Sequence, residues 1–173
     1  MKKIWMALIA TAAGLLLVTG LFAGNDIEAN KSCAYCGMDR GMFSHSRMLI
    51  EYDDGTIAAT CSIHCSAVDL ALNIDKTPKA IRVADYNSKE LIDAEKAFWT
   101  MGGSKQGVMT KRAKWAFGSR EGADAFIKAN GGTLVSFDQA MKASYEDMYA
   151  DTKMIREKRK MKGMSGGEQH HHH

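Results

Sequence analysis

The sequence predicts an α+β fold laid out as strand, strand, helix, strand, twice over, followed by a C-terminal helix. Three observations carry that expectation. Short β-rich runs flank an Asp54-Gly55 turn, amphipathic segments interrupt the strands at similar places in each half, and Asn130-Gly131-Gly132 stops the second amphipathic segment before another strand.

Residues 48–52 read as a strand, Asp54-Gly55 as a tight hairpin turn and residues 56–60 as the returning strand. A helix over 62–73 puts Ile63, Ala67, Leu70 and Ile74 near helical spacing, and residues 80–84 form the next strand. In the second half, residues 97–101 and 114–117 read as strands around a glycine-rich loop at 102–107. Ser119 is the expected cap of a helix with Ala123, Phe126 and Ile127 on one face. Residues 133–137 close the sheet. Asp138 is then the expected cap of a last helix with Met141, Tyr145 and Met148 on one stripe. The repeat is one of pattern and not of residue identity.

The ends of the chain differ from this body. Met1-Lys2-Lys3 followed by the uncharged residues 4–24 has the form of an export signal, and residues 1–24 are expected to be a signal peptide or a signal anchor. Leu21-Phe22-Ala23 is a poor cleavage site, and the uncharged run is about long enough to span a bilayer, so cleavage and anchoring fit equally well. No lipid-accepting cysteine follows it. Residues 25–32 read as a polar linker, 33–150 as the folded domain, and 151–173 as a basic helix extension fraying into a disordered tail. The terminal His170 to His173 reads equally as a metal-collecting tail or a purification tag.

At 46% hydrophobic and 25% charged residues the chain has a globular composition, which excludes disorder throughout. The formal charge of +3 falls to +1 without Lys2 and Lys3, which gives no case for a nucleic-acid binder.

Chemistry concentrates in the sulfurs. Cys33-Ala34-Tyr35-Cys36-Gly37-Met38 puts two thiols and a thioether within six residues. Such soft donors select Cu(I) over hard cations. Gly37 lets the chain turn so that Met38 can swing back. Cys61 and Cys65 lie four apart and face one side of a helical turn, with His64 able to join them. Met109, in an otherwise polar turn, is a further soft donor; packing against Trp99 or Trp115 explains it equally. Met42, Met48, Met141 and Met148 read as core or staple residues.

Against Cu(I) stand two disulfides, the simplest use of four exported cysteines, and a structural four-cysteine Zn2+ site with Cys-x2-Cys and Cys-x3-Cys arms. Thiol–disulfide exchange is weaker still. A thioredoxin-type Cys-x-x-Cys follows a buried strand and opens a helix, whereas residues 25–32 are polar and Gly37 follows the second cysteine.

Taken together, these residues resemble the nitrous oxide reductase accessory protein family (NosL). The likeness rests on Cys36-Gly37-Met38, the Asp54-Gly55 hairpin, Val108-Met109-Thr110, Trp115 to Glu121, and Asn130 to Asp138, covering roughly residues 33–149. It implies an exported, non-enzymatic Cu(I) chaperone that supplies nitrous oxide reductase or its maturation machinery in denitrification. It also implies two related ββαβ lobes with a fold like that of organomercurial lyase. Carried over by position, Cys36, Met38 and Met109 are the first copper contacts and Cys33 the next; Cys61 and Cys65 are additional to the simplest family pattern. Lyase activity does not follow from a shared fold, and the only carboxylate expected near the cysteines is Asp69.

Overall fold

The computed structural model describes residues 25–167, with side chains for residues 26–161. The expected signal segment and the terminal histidines lie outside the described residues. No described helix is long and apolar enough to cross a membrane.

The fold is α+β, with two antiparallel sheets and a long C-terminal helix. After a short helix α1 (Asn25–Ala29), the first half runs β1 (Met48–Tyr52), β2 (Ile57–Thr60), α2 (Ile63–Leu72), β3 (Pro78–Ala84) and β4 (Leu91–Asp93). The second runs β5 (Phe98–Met101), β6 (Lys114–Phe117), α3 (Arg120–Asn130) and β7 (Thr133–Val135), and α4 (Phe137–Gly167) follows. The sheet orders are β2-β1-β3-β4 and β6-β5-β7. In both, the first strand of a ββαβ unit is central and pairs antiparallel with the other two. The patterned repeat is therefore also a repeat of topology.

Local chemistry accounts for most boundaries. Asp54 Oδ1 accepts from the Thr56 amide at 2.9 Å, and Gly55 takes φ +81°, which fixes the β1–β2 turn. Ser119 caps α3 by accepting from the Gly122 amide at 3.1 Å. At the start of α4 the expected cap is corrected. Ser136 Oγ accepts from the Gln139 amide at 3.2 Å and Gln139 Oε1 accepts from the Ser136 amide at 2.9 Å, a reciprocal box that leaves Asp138 inside the helix. The helix runs on to Gly167, well past residue 150.

The main core is shared between the halves: Met48, Ile63 and Val83 from the first meet Trp99, Ala116, Phe137 and Ala140 from the second. Trp99 Nε1 donates to the Ala94 carbonyl at 2.8 Å. A second cluster, Trp115, Phe117, Ala123 and Phe126, fills the space beneath α3. Three expected apolar contacts are absent. Met42, Ile74 and Tyr145 are exposed, and α4 turns Ala140, Ala143 and Ser144 inward instead.

Residues 25–32 do more than link. Asp26, in α1, is buried against Arg40 at 2.8 Å and Arg47 at 2.9 Å, both guanidiniums being almost wholly inaccessible. Arg40 places all five of its N–H donors: two reach the carbonyls of Asp26 and Asn30, two those of Thr60 and Met48, and one the Asp26 carboxylate. That hub ties the loop after Cys36 to the ends of β1 and β2.

Candidate metal centre

The two cysteine motifs converge. The Sγ atoms of Cys33, Cys36, Cys61 and Cys65 all lie within 4.8 Å of one another, with Cys36 to Cys61 at 3.4 Å and Cys61 to Cys65 at 3.8 Å. All four are free thiols. Cys33, Cys61 and Cys65 are buried, while Cys36 is half-exposed.

The first arm is a hydrogen-bonded loop. The Cys33 amide donates to the Met38 carbonyl at 2.8 Å, and the Gly37 amide to the Cys33 carbonyl at 3.0 Å. Gly37 has φ +73°, which a residue with a Cβ adopts only at a cost. The Ala34 amide bonds the Ala59 carbonyl at 3.0 Å, holding the loop against β2. This is a turn and not a helix N-terminus, which corrects the thiol–disulfide alternative: the placement a thioredoxin-type motif needs is missing.

The second arm starts just past β2. Cys61 sits before α2 and Cys65 on its first turn. Tyr35 and Tyr52 donate their hydroxyls to the two oxygens of buried Asp69, one turn beyond Cys65. Tyr35 lies between Cys33 and Cys36, so Asp69 clamps the first arm to the helix that carries the second. Burial first, and then the bond to Asp69, raises the Tyr35 hydroxyl to about 12. Asp69 is thus a fastening, each of its oxygens engaged by a tyrosine hydroxyl.

His64 does not join the sulfurs. Neighbours on a helix diverge by about 100°, and His64 turns toward α4, where its Nδ1 lies 3.7 Å from Asp151 Oδ2. It is buried rather than on the surface, and burial lowers its pKa.

Met38, Phe43, Val108 and Met109 pack against the cysteines, so Met109 lies here and not against the tryptophan core. Met109 is also backbone-strained, with φ +62°. A left-handed non-glycine residue costs about 1–2 kcal/mol. The chain before it is tight, since a Cβ at Gly107 would sit 2.8 Å from the Thr110 carbonyl oxygen. Met109→Gly should therefore be more stable than Met109→Ala by about 1 kcal/mol, while both lose the thioether and bind Cu(I) more weakly than wild type. Thermal melts and Cu(I) titration of the two variants check this; equal stability would remove the strain, and unchanged affinity would remove Met109 from the site.

A cleft of about 480 Å³ opens beside the sulfurs, lined by Met38, Met109, His45, Met154, Lys158 and Arg159 among others. His45 and Met154 were not legible as site residues. His45 carries no spacing signal and is placed by packing on Trp115 and Tyr86, with ring centroids 5.4 and 5.7 Å away. Burial, then Lys89 and Lys105, lowers its pKa, leaving a neutral imidazole near pH 7.

The thiols titrate as one unit. Hydrogen bonds from Cys36, then Cys61 and Cys65, hold Cys33 well below the usual thiol range. Cys33 pushes Cys36 up, but Cys61 and Cys65 bring it down to about 7. Cys61 and Cys65 are both driven upward, chiefly by Cys33 and then Cys36. The two thiols of the first arm are thus the ones biased toward thiolate, Cys36 partly exposed and Cys33 buried behind it, with two thioethers alongside.

The NosL family model matches residues 25–145. Comparison with curated proteins gives no match. Among solved structures, the crystal structure of the copper chaperone NosL from Shewanella denitrificans superposes with a TM-score of 0.51 at 21% sequence identity, covering 70% of this chain and 93% of that chain. At that identity the likeness speaks for the fold.

Proposed function

The chain belongs to the NosL family, and on that premise we propose that it is an exported, non-enzymatic chaperone carrying Cu(I) as cargo. The observation that carries this reading is the convergence of four thiols with Met38 and Met109 at the edge of an open cleft. Cys36, half-exposed, takes Cu(I) first, with Met38, Met109 and Cys33 completing a low-coordinate set. Cys61 and Cys65 supply further sulfur behind it. The cargo leaves by exchange of these donors for a partner's thiol, imidazole or thioether, with no change of oxidation state. A copper-accepting enzyme such as nitrous oxide reductase, or its maturation machinery, is the recipient that NosL membership favours. The finer likeness to the organomercurial lyase fold belongs to the same proposal, without that enzyme's chemistry.

One other reading has a specific observation behind it. Four thiolates around zinc at ~2.3 Å stand about 3.8 Å apart, and the Cys61–Cys65 separation of 3.8 Å suits such a cage. The electrostatics favour Cu(I) instead. A zinc cage needs all four sulfurs as thiolates, including the two whose pKa is raised, whereas a low-coordinate Cu(I) set draws on the two whose pKa is lowered.

Proton linkage separates the two. Cys33 is held below the usual thiol range and Cys36 is brought down to about 7, so Cu(I) on this arm displaces little proton above neutrality and competes with protonation as pH falls through about 7. Affinity should be level above that point and fall about tenfold between pH 8 and pH 6. Competition titrations with Cu(I) at several pH values measure it; a loss beyond a hundredfold would mean that the tetrathiolate is what binds.

A further inference from the structure

The last part of α4 carries charge that the copper site itself does not need. Residues 152–161 hold Lys153, Arg156, Lys158, Arg159 and Lys160 against the single acid Glu157, a surplus of four in a chain whose whole formal charge is +3. All five cations are exposed. Among the described residues none of them lies in an ion pair with a carboxylate.

Their position matters more than their number. Met154, Ile155, Lys158 and Arg159 share one helix face and line the cleft bounded on the other side by Met38 and Met109. Those two methionines touch the cysteine cluster as well. Cargo leaving through them emerges beneath Lys158 and Arg159. Arg159 also reaches the cysteine loop, its Nη2 donating to the Cys36 carbonyl at 3.0 Å. The donor spans 123 residues of sequence and ties α4 to the backbone of the most exposed cysteine.

We propose that this face of α4 is the docking surface for an acidic protein acceptor, and that Arg159 is a latch which such a partner releases. In the free protein Arg159 holds the Cys36 loop. A carboxylate on the docked partner competes for the guanidinium, which prefers a charged bidentate acceptor to a carbonyl. The Cys36 loop is thereby freed when an acceptor ligand is at hand. A membrane is the weaker candidate, because lipid covering this face would shut the cleft through which the cargo must pass. The inference rests on the Cu(I) reading, and Cu(I) affinity is therefore measured first on every variant.

The test loads the full chain with Cu(I) and offers two synthetic peptides with one Met/His copper-binding sequence, flanked by glutamates in one and by glutamines in the other. At low salt the glutamate peptide should take copper about tenfold faster, with the advantage shrinking as salt is raised. The Lys158→Glu variant, which leaves the Arg159 bond to the Cys36 carbonyl in place, should lose that advantage while its Cu(I) affinity stays within about twofold of wild type. Arg159→Gln should give up copper several-fold faster to dithiothreitol, a small competitor that carries no carboxylate, yet more slowly to the glutamate peptide; charge attraction alone would leave the first rate unchanged or slow it. Equal peptide rates at low salt, or an advantage that survives charge reversal, would overturn docking, and an unchanged dithiothreitol rate would overturn the latch. Absence of peptide preference, with charge-dependent binding to vesicles containing phosphatidylserine, would assign the face to a membrane instead. Wild type that binds no Cu(I) would fail the chaperone reading itself.

Discussion

Asp26→Ala is expected to destabilise the domain by about 3–5 kcal/mol, enough to lower the melting midpoint by roughly 10 °C or more. The residue lies in a polar stretch ahead of the first sheet, where a substitution would pass for harmless. Its carboxylate is the shared counter-ion of two buried guanidiniums, Arg40 and Arg47. Removing it leaves both cations desolvated without that partner, which costs far more than the net gain from the pair. Lys79→Ala, which breaks an exposed pair with Glu51 at 3.2 Å, is the control and should stay within ~0.5 kcal/mol. Urea unfolding of the two variants gives the comparison. An Asp26→Ala loss no larger than the control's would mean that residues 25–32 are only a tether.

Cys36→Ser should lower Cu(I) affinity by well over a hundredfold and leave the fold intact. Outer-sphere partners of a metal typically cost 10–100-fold when removed, and loss of a ligand costs more. Cys36 is the least buried of the four thiols, is set at about 7, and stands 3.4 Å from Cys61. Serine keeps the shape but offers a hard oxygen that ionises only far above neutral pH. Stability should change little, because the core clusters around Trp99 and Trp115 contain no cysteine. The comparison is Cu(I) competition against a chelator of known strength, with circular dichroism to check the fold. An unchanged affinity would remove the sulfur cluster from the function.

The repeated ββαβ order was legible because its signals are local. The Asp54-Gly55 turn, the Ser119 cap and the Asn130-Gly131-Gly132 stop each act within a few residues. What went unread depends on distant partners. Strand β4 is three residues long and exists because β3 offers an edge, Val83 lying opposite Ile92. Helix α1 is held by ion pairs to residues 14 and 21 positions away. Nothing in the sequence marks Arg40 and Arg47 as buried, since arginine is ordinarily exposed. The Ser136-x-x-Gln139 box, by contrast, is itself a local signal, and its two reciprocal bonds start α4 ahead of Asp138.

Type and spacing single out six sulfurs in the sequence, and the structure gathers them into one cluster. His64 misled because Cys61 precedes α2, so the three-residue spacing between them is not a helical one. Asp69 was noted only as a neighbour, and its role as the clamp on Tyr35 needed the fold. His45, Met154 and Arg159 were invisible because they come from a loop and a helix end that only tertiary packing brings to the cleft.

The most direct test of a Cu(I) carrier is an anaerobic titration of the reduced chain lacking His170 to His173, with Cu(I) and separately with Zn(II), against competing chelators and with free thiols counted. The expected result is Cu(I) bound far more tightly than zinc, with the affinity falling in the Cys36→Ser and Met109→Ala variants. Tight zinc binding that needs all four cysteines, with unfolding when the metal is withdrawn, would contradict it and make the cluster a structural cage.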